Sequence, residues 1–330
     1  MTTDHANIST NEQQPTVAVV MCTFNGEKYL AEQLDSILAQ TYPVSELIIQ
    51  DDCSTDGTVD IIRRYMRAHE FIKLFVNERN LGFNANFHLA LTRATADFIA
   101  ISDQDDVWYP NKLERQMAAI GDRDLCATAY DMGPSRDTAR YVAASDRLER
   151  FIFGGGVAAG HTMLLSRGLL AGRNRVIPGI TYDWNLLMNA CFGRGVVVLQ
   201  EPLNWHRRHA AALGNVFHKS NGNRLTAAVA PYLFGWKHYR RLQRKANWRR
   251  MYAYIVENTD PHREPIAHSI AALMLQPGAK ALLRLCLKCV KHKFLIYPDR
   301  RKATGLIGTL RAFAFPAIFA YNNHYFDWAD

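Results

Sequence analysis

The sequence predicts an α/β fold: a mostly parallel sheet flanked by helices, with a helical C-terminal extension. Three observations carry that expectation. Strand-type and helix-type patterns alternate four times between residues 16 and 120, the signature of parallel strands joined by right-handed crossovers. Polar residues gather just past the C-terminal end of each expected strand, where ligands of such sheets bind. From about Asn223 the pattern changes to basic, amphipathic helix.

The run "TVAVVMC" (16–22) is continuously apolar, as a strand buried on both faces requires. In "EKYLAEQLDSILAQ", Leu30, Leu34, Ile37 and Leu38 fall on one helix face, with Asn25 as the expected cap. "ELIIQ" (46–50) is the next strand. "TVDIIRRYM" repeats the helical period through Val59, Ile62 and Met66. "IKLFV" (72–76) is a strand, and "GFNANFHLALTRA" is a helix with Phe83, Phe87, Ala90 and Leu91 inward. "DFIAI" is the fourth strand. Pro110, suited to a first helical turn, opens a helix carrying Leu113, Met117 and Ile120. Further on, "HTMLLS" (161–166) and "VVVL" (196–199) read as strands, with "DWNLLMNACF" (183–192) a short helix between them. The C-terminal helices break near Pro261, Pro277 and Pro298. The expected organisation is a disordered tail over 1–15, an α/β domain over 16–215, and a basic, mostly helical extension over 216–330.

The 330 residues are 48% apolar and 21% charged, a globular composition and long enough for one domain plus an extension. The net charge of +8 is concentrated after residue 206, as in "HYRRLQRKANWRR" and "CLKCVKHK". Such an excess points to a phosphorylated ligand, a lipid headgroup or a nucleic acid, or simply to a solvated helix face. The six cysteines form no zinc pattern and read as reduced thiols in a cytoplasmic setting. Residues 1–15 do not look like a signal peptide. The longest apolar stretch, "GLIGTLRAFAFPAIFAY", is interrupted by Arg311 and Pro316. It reads as interfacial, not membrane-spanning.

The segment "AISDQDDVWYP" (100–110) holds Asp103, Asp105 and Asp106 within four positions. Like charges this close repel. A hard divalent cation, Mg²⁺ or Mn²⁺, held by carboxylates and substrate phosphates offsets that repulsion. The alternative is a set of aspartates stabilised by a helix dipole. On the same sheet edge lie Thr23, Asn25 and Gly26 after the first strand; Asp51, Asp52 and Ser54 after the second; Asn80, Gly82 and Asn84 after the third. No G-x-G-x-x-G, no P-loop and no G-x-S-x-G motif is present.

The stretches "VAVVMCTFNGEKYLAEQLDSILAQTYPVSELIIQDDCSTDGT", "NLGFNANFHLAL" and "DFIAISDQDDVWYPNKL" resemble glycosyltransferase family 2, with its GT-A nucleotide-diphospho-sugar transferase fold. The rhamnosyltransferase-like branch that builds bacterial surface polysaccharides is the nearest in flavour, and the resemblance spans 16–209. It implies a metal-dependent inverting transferase moving a sugar from a nucleotide-diphospho-sugar to a glycan or lipid-linked acceptor. L-Rhamnose from dTDP-rhamnose is the first donor it suggests, and a UDP-hexose the second. Thr23 and Asn25 would line the nucleotide site, Asp52 would bind the base with Asp51 supporting its loop, and Asn80 and Gly82 would close the pocket. In the DXD-like motif, Asp103 would approach the ribose side and share in metal binding, and Asp105 would ligate the metal. Asp106 and Trp108 would shape the donor pocket. "GITYDWNLLM" makes Asp183 the candidate catalytic base, beside Trp184 near the acceptor. Tyr182 stands where members often carry histidine. By residue pattern alone, Asp183 reads first as a helix cap; the resemblance reverses that preference. "EPLNWHRRH" would bring His209 as a further metal or diphosphate contact and Arg207 to the phosphates, with His206 in place of the usual tyrosine.

Gly154 to Gly156 fit an acceptor-site loop or an ordinary turn. Three other functions compete: a nucleotidyltransferase of related fold, a non-catalytic membrane or nucleic-acid module built on the basic C-terminal third, and an inactive scaffold. The acidic sheet edge argues against nucleic acid. Peripheral contact with the cytoplasmic face of the inner membrane is expected from "KALLRLCLKCVKHKFLIY"; a helical cap or a homodimer interface is the alternative.

Overall fold

The structure, a computed structural model, describes residues 14–145, 148–152, 158–172, 175–209, 224–297 and 300–322. The 215/216 boundary and the Gly154 to Gly156 loop lie outside the described residues.

Four parallel strands form one half of the sheet in the order β3-β2-β1-β4: β1 (Val17–Thr23), β2 (Glu46–Asp51), β3 (Ile72–Val76) and β4 (Phe98–Ser102). They alternate with α1 (Leu30–Leu38), α2 (Thr58–Ala68) and α3 (Phe83–Leu91). Successive strand side chains point to opposite faces, and the core divides accordingly. Val17, Val19, Met21, Leu47, Ile49 and Ala100 pack with α1 and α2 on one face. Ala18, Val20, Ile48, Ile99 and Ile101 pack with α3 on the other. The continuously apolar runs follow from burial on both faces.

The second half is mixed. β4 pairs antiparallel with β8 (Leu164–Ser166), which pairs antiparallel with β6 (Leu125–Gly133). β6 runs parallel to β9 (Val196–Arg207), and β9 pairs antiparallel with the two-residue β5 (Val107–Trp108). β7 (Arg140–Val142) extends the edge at β6. The expected strand at 196–199 thus continues to Arg207, with irregular register against β6 from Thr128 onward. The expected strand at 161–166 begins as a 3₁₀ turn, Gly160–Thr162.

Two helix starts differ from expectation. Asn25 does not cap α1: it adopts φ 48°, and the helix begins at Leu30. Pro110 precedes α4 (Lys112–Ile120), where Asn111 takes the N-cap position. α4 buries Lys112, Leu113, Gln116 and Ile120, and Met117 packs half-buried against the same core, so the inward face carries two polar residues beside the expected apolar ones.

After the short helices α5 (Leu148–Ile152) and α6 (Arg167–Ala171), α7 (Tyr182–Cys191) joins the sheet to the C-terminal helices. Leu186 and Leu187 share one core with Ile99 and Ile101 of the sheet and with Trp248, Met251, Tyr252 and Ile255 of helix Ala246–Asn258. The Trp184 ring meets Trp248 edge-on at 6.1 Å. Asn247 Nδ2 donates to the Gly179 carbonyl at 2.8 Å. The basic helices therefore close one side of the α/β core. Among the described residues no helix is long and apolar enough to cross a membrane.

Candidate active site

The residues singled out in sequence converge on the C-terminal edge of the parallel strands, and hydrogen bonds between the crossover loops build that edge. Asp51, fully buried, accepts from Thr23 Oγ1 at 2.8 Å, Ser54 Oγ at 2.6 Å and the Ser54 N–H at 2.9 Å. Asn25 Oδ1 accepts the Thr55 N–H at 2.9 Å. Asp52 accepts from the Leu81 N–H at 2.7 Å, the Gly82 N–H at 2.9 Å and Asn77 Nδ2 at 2.8 Å. Three of its roughly four acceptor positions thus hold the loop that contains Asn80 and Gly82. Asn80 Oδ1 accepts the Gly82 N–H at 3.0 Å, and Gly82 takes φ 81° at the start of α3, a conformation that favours glycine. Thr23, buried with its hydroxyl spent on Asp51, shapes the edge from below.

Gln104 fastens the first loop to the acidic one. Its Oε1 accepts the Phe24 N–H at 2.9 Å and its Nε2 donates to the Phe24 carbonyl at 3.0 Å. A Cβ on Gly26 would lie 2.2 Å from Gln104 Oε1. Gly26→Ala is therefore expected to expel the Gln104 amide and lose both bonds, a cost of about 1–3 kcal/mol. In the Gln104→Ala background the same change should cost far less. Thermal unfolding of the four proteins of this double-mutant cycle measures the coupling; simple additivity would refute the clamp.

The three carboxylates of the acidic loop have different surroundings. Asp106 is fully buried, with Oδ1 2.9 Å from His206 Nδ1 and Oδ2 3.1 Å from His161 Nδ1. Asn204 Nδ2 donates to Oδ2 at 3.2 Å. The two rings stack at 4.6 Å, yet they titrate in opposite directions. Burial, outweighing Asp106, pushes His161 down to about 3. His206 is also disfavoured by burial, but Asp106, with help from Asp103 and Asp105, lifts it to about 9. Beneath them Lys112 donates Nζ to the His161 carbonyl at 2.7 Å and lies 4.6 Å from the Trp108 ring centre. Its burial lowers it to about 7. Trp108 is 2% exposed within this core; the expectation that it shapes an open donor pocket is corrected, because α1, α4 and Lys112 cover its ring.

His206 has a stability consequence with a definite sign. Its folded value lies above its unfolded value of about 6.5, so the stabilisation is complete below that pH and is lost as pH rises through about 9. Lys112 contributes in the opposite sense. The difference in unfolding free energy between wild type and His206→Gln, followed from pH 6 to 10, should therefore shrink with rising pH. A constant difference would show that the ring is not charged.

Asp105 is paired with His209: Oδ2 and Nε2 are 2.7 Å apart. Arg207 Nε donates to the Asp105 carbonyl at 3.0 Å. Its guanidinium also pairs with Glu32 and lies over Tyr29 and Trp205 at 4.5 and 4.3 Å. It thus orients the acidic loop, with part of its charge already balanced by Glu32. The Asp103 carbonyl accepts from Ser102 Oγ at 2.9 Å, while its carboxylate accepts no hydrogen bond among the described residues. Burial, then the charges of Asp106 and Asp105, push it up to about 8, and Asp183 adds to the rise.

Asp183 occupies the first turn of α7, with Thr181 in the N-cap position. Its Oδ1 accepts from the Thr181 hydroxyl and, at 2.9 Å, from the Trp184 N–H. Burial raises its pKa although both bonds lower it. Thr181, not Asp183, ends the preceding chain, and Asn84 Oδ1 anchors the helix start by accepting the Tyr182 N–H at 2.6 Å. Tyr182 is buried, stacked on Phe87 at 4.1 Å.

The donor types of Asp103, Asp105 and His209 fit a hard divalent cation, and the charge repulsion at Asp103 is what such an ion relieves. A second set, Asp106, His161 and His206, holds potential ligand atoms within 4.8 Å of one another; there the charged His206 ring already balances Asp106. His161, Asn204, Lys112 and Gln104 were not singled out in sequence. Lys112 carried a readable signal, since it is four residues from Gln116 and eight from Ile120 on the same helix face.

The sequence profile of glycosyl transferase family 2 matches residues 18–184. The teichuronic acid biosynthesis glycosyltransferase TuaG of Bacillus subtilis is 38% identical over 117 residues, 36% of this chain and 46% of that protein. The chain spans less than half the length of the first curated relatives it matches. Among solved structures, Staphylococcus aureus TarS 1–349 in complex with UDP-GlcNAc aligns over 92% of this chain and 89% of its own, with TM-score 0.57 and 18% identity. The mannosyltransferase PcManGT of Pyrobaculum calidifontis, in complex with GDP-Man and Mn²⁺, aligns over 93% and 86%, with TM-score 0.53 and 19% identity. These likenesses show a GT-A-like fold. With the family profile matching half of its residues, the chain belongs to glycosyl transferase family 2.

Proposed function

We propose that the chain is a metal-dependent, inverting glycosyltransferase that moves a hexosyl group from a nucleotide-diphospho-sugar to a hydroxyl of a surface-polysaccharide or lipid-linked glycan. The observation that carries the reading is the meeting of two acidic elements at one sheet edge. Asp183 on α7 lies close enough to Asp103 for its charge to raise Asp103 further.

Asp183 acts as the base. Its raised pKa makes it a stronger proton acceptor than an ordinary carboxylate. It takes the proton of the acceptor hydroxyl, whose oxygen bonds to the anomeric carbon as the bond to the diphosphate breaks on the opposite face. The nucleoside diphosphate departs and the anomeric configuration inverts. A divalent ion held by Asp105, Asp103 and His209 supplies Lewis-acid stabilisation of the leaving diphosphate when bound. Asn25, Asp52, Asn80 and Gly82 form the loops against which the nucleoside rests, with Thr23 and Asp51 fixing their shape. Arg207, whose charge Glu32 balances only in part, adds cationic character near the diphosphate.

dTDP-L-rhamnose is the donor to test first, on the branch resemblance of the acidic and "NLGFNAN" motifs. A UDP-hexose is the second reading, favoured by the UDP-GlcNAc complex of a protein with the same fold. Calorimetric titration with UDP, dTDP and GDP, each with and without Mn²⁺, tests the proposal. Metal-dependent binding of one nucleotide is the expected result; no binding of any would overturn it.

A further inference from the structure

Two helices of the C-terminal region turn apolar side chains outward. On helix Gly305–Phe313, Leu306 and Ile307 are 75% and 72% exposed, and Leu310 lies on the same face, also more than half exposed. The opposite face buries Gly308 and Ala312. Helix Ala279–Lys291 packs beside it and buries Leu285, Cys286 and Cys289. Its outward face presents Lys280, Leu283, Arg284, Leu287 and Lys291, all exposed. Phe294, exposed, lies on the short helix Lys293–Ile296 that follows, and Lys293 Nζ of that helix donates to Thr309 Oγ1 on helix Gly305–Phe313 at 3.0 Å. Exposed apolar groups in such a cluster mark an interaction surface.

The charge pattern selects the partner. Residues 265–326 contain nine lysines and arginines and a single acid, Asp299. A protein interface core is depleted of charge, whereas here basic and apolar residues interleave on one helix face. A second copy packed symmetrically on this face would set cations against cations. A bilayer surface accommodates both groups: leucines enter the acyl boundary while the long basic side chains reach the headgroups. We infer that the adjoining faces of helices Ala279–Lys291 and Gly305–Phe313 dock on a membrane surface rich in anionic phospholipid.

The test uses the full chain without donor or acceptor, so its outcome is separate from that of the transfer reaction. Co-sedimentation is measured with phosphatidylglycerol-containing vesicles and with pure phosphatidylcholine vesicles, at low and high salt. Binding is expected only to the anionic vesicles and is expected to weaken with salt. Lys280→Gln with Arg284→Gln and Lys291→Gln should lower the partition coefficient by roughly fivefold per group removed. Leu306→Ser with Ile307→Ser should also lower it, with the melting temperature unchanged because both side chains already face solvent. Absence of binding to anionic vesicles at low salt would overturn the inference. So would equal binding by both variants, or a dimer abolished by Leu306→Ser with Ile307→Ser in a protein that binds no vesicle.

Discussion

Asp183→Asn is expected to lower kcat by about 10²–10⁴-fold, the usual contribution of a positioned base, while nucleotide affinity stays within about a factor of two, far less than a lost hydrogen bond would change it. The local hydrogen bonds explain why the effect should be so selective. Both donors to this side chain, the Thr181 hydroxyl and the Trp184 N–H, bond to Oδ1. An asparagine carbonyl oxygen accepts the same two bonds, so α7 keeps its start and Trp184 its place against Trp248. What is lost is the second oxygen, which holds the proton. Removal of this negative charge should also ease Asp103, whose raised pKa owes part of its rise to Asp183. Nucleotide and metal binding should thus persist to slightly lower pH in the variant. Turnover with the correct donor and acceptor, beside a calorimetric titration with nucleotide and Mn²⁺, separates the two effects. Turnover within tenfold of wild type would remove Asp183 from the reaction. Equal losses of turnover and nucleotide binding would make it a structural residue of α7.

The parallel half of the sheet was legible because each strand is buried on both faces. Continuous apolar runs such as Val17–Thr23 have few other uses in a globular chain. The site was legible for a related reason: the carboxylates stand at strand ends, where like charges have no packing role. β6 was not legible. Its sequence, LCATAYDMG, mixes small and polar residues, and its place in the sheet comes from β8 and β9, distant in sequence. The support beneath the acidic loop was hidden for the same reason. His161 lies in a 3₁₀ turn and His206 in a strand, and only the fold stacks their rings beside Asp106. Asp52 shows the converse. Its position at the strand end was evident, yet its hydrogen bonds to the Leu81 and Gly82 N–H groups make it an anchor of the loop that follows β3, which the sequence pattern did not reveal. The sequence pattern reveals where polar groups gather; the partners that consume them come from tertiary structure.

Asp105→Ala is expected to abolish metal-dependent nucleotide binding and leave the fold intact. Groups that merely orient a metal ligand are worth about 10–100-fold in metal affinity, so loss of a direct ligand should reach at least the upper end of that range. Stability should hold or rise. Asp105 is partly exposed, and its removal relieves repulsion at Asp103. Asp106→Ala provides the contrast. That carboxylate is fully buried between His161 and His206, and deletion of one partner from a buried charged pair costs about 3–5 kcal/mol. It would leave His206 without the charge that sustains its proton. Three variants, Asp105→Ala, His209→Ala and His161→Gln, decide between the two possible metal sets. If Asp103, Asp105 and His209 hold the ion, Mn²⁺-dependent titration heats vanish in Asp105→Ala and in His209→Ala and survive in His161→Gln. If the ion sits among Asp106, His161 and His206, His161→Gln loses them and Asp105→Ala retains them. The electrostatics favour the first outcome: Asp106 already has a cationic partner within the protein, whereas ionisation of Asp103 is opposed by burial and by its acidic neighbours, which a cation there would offset.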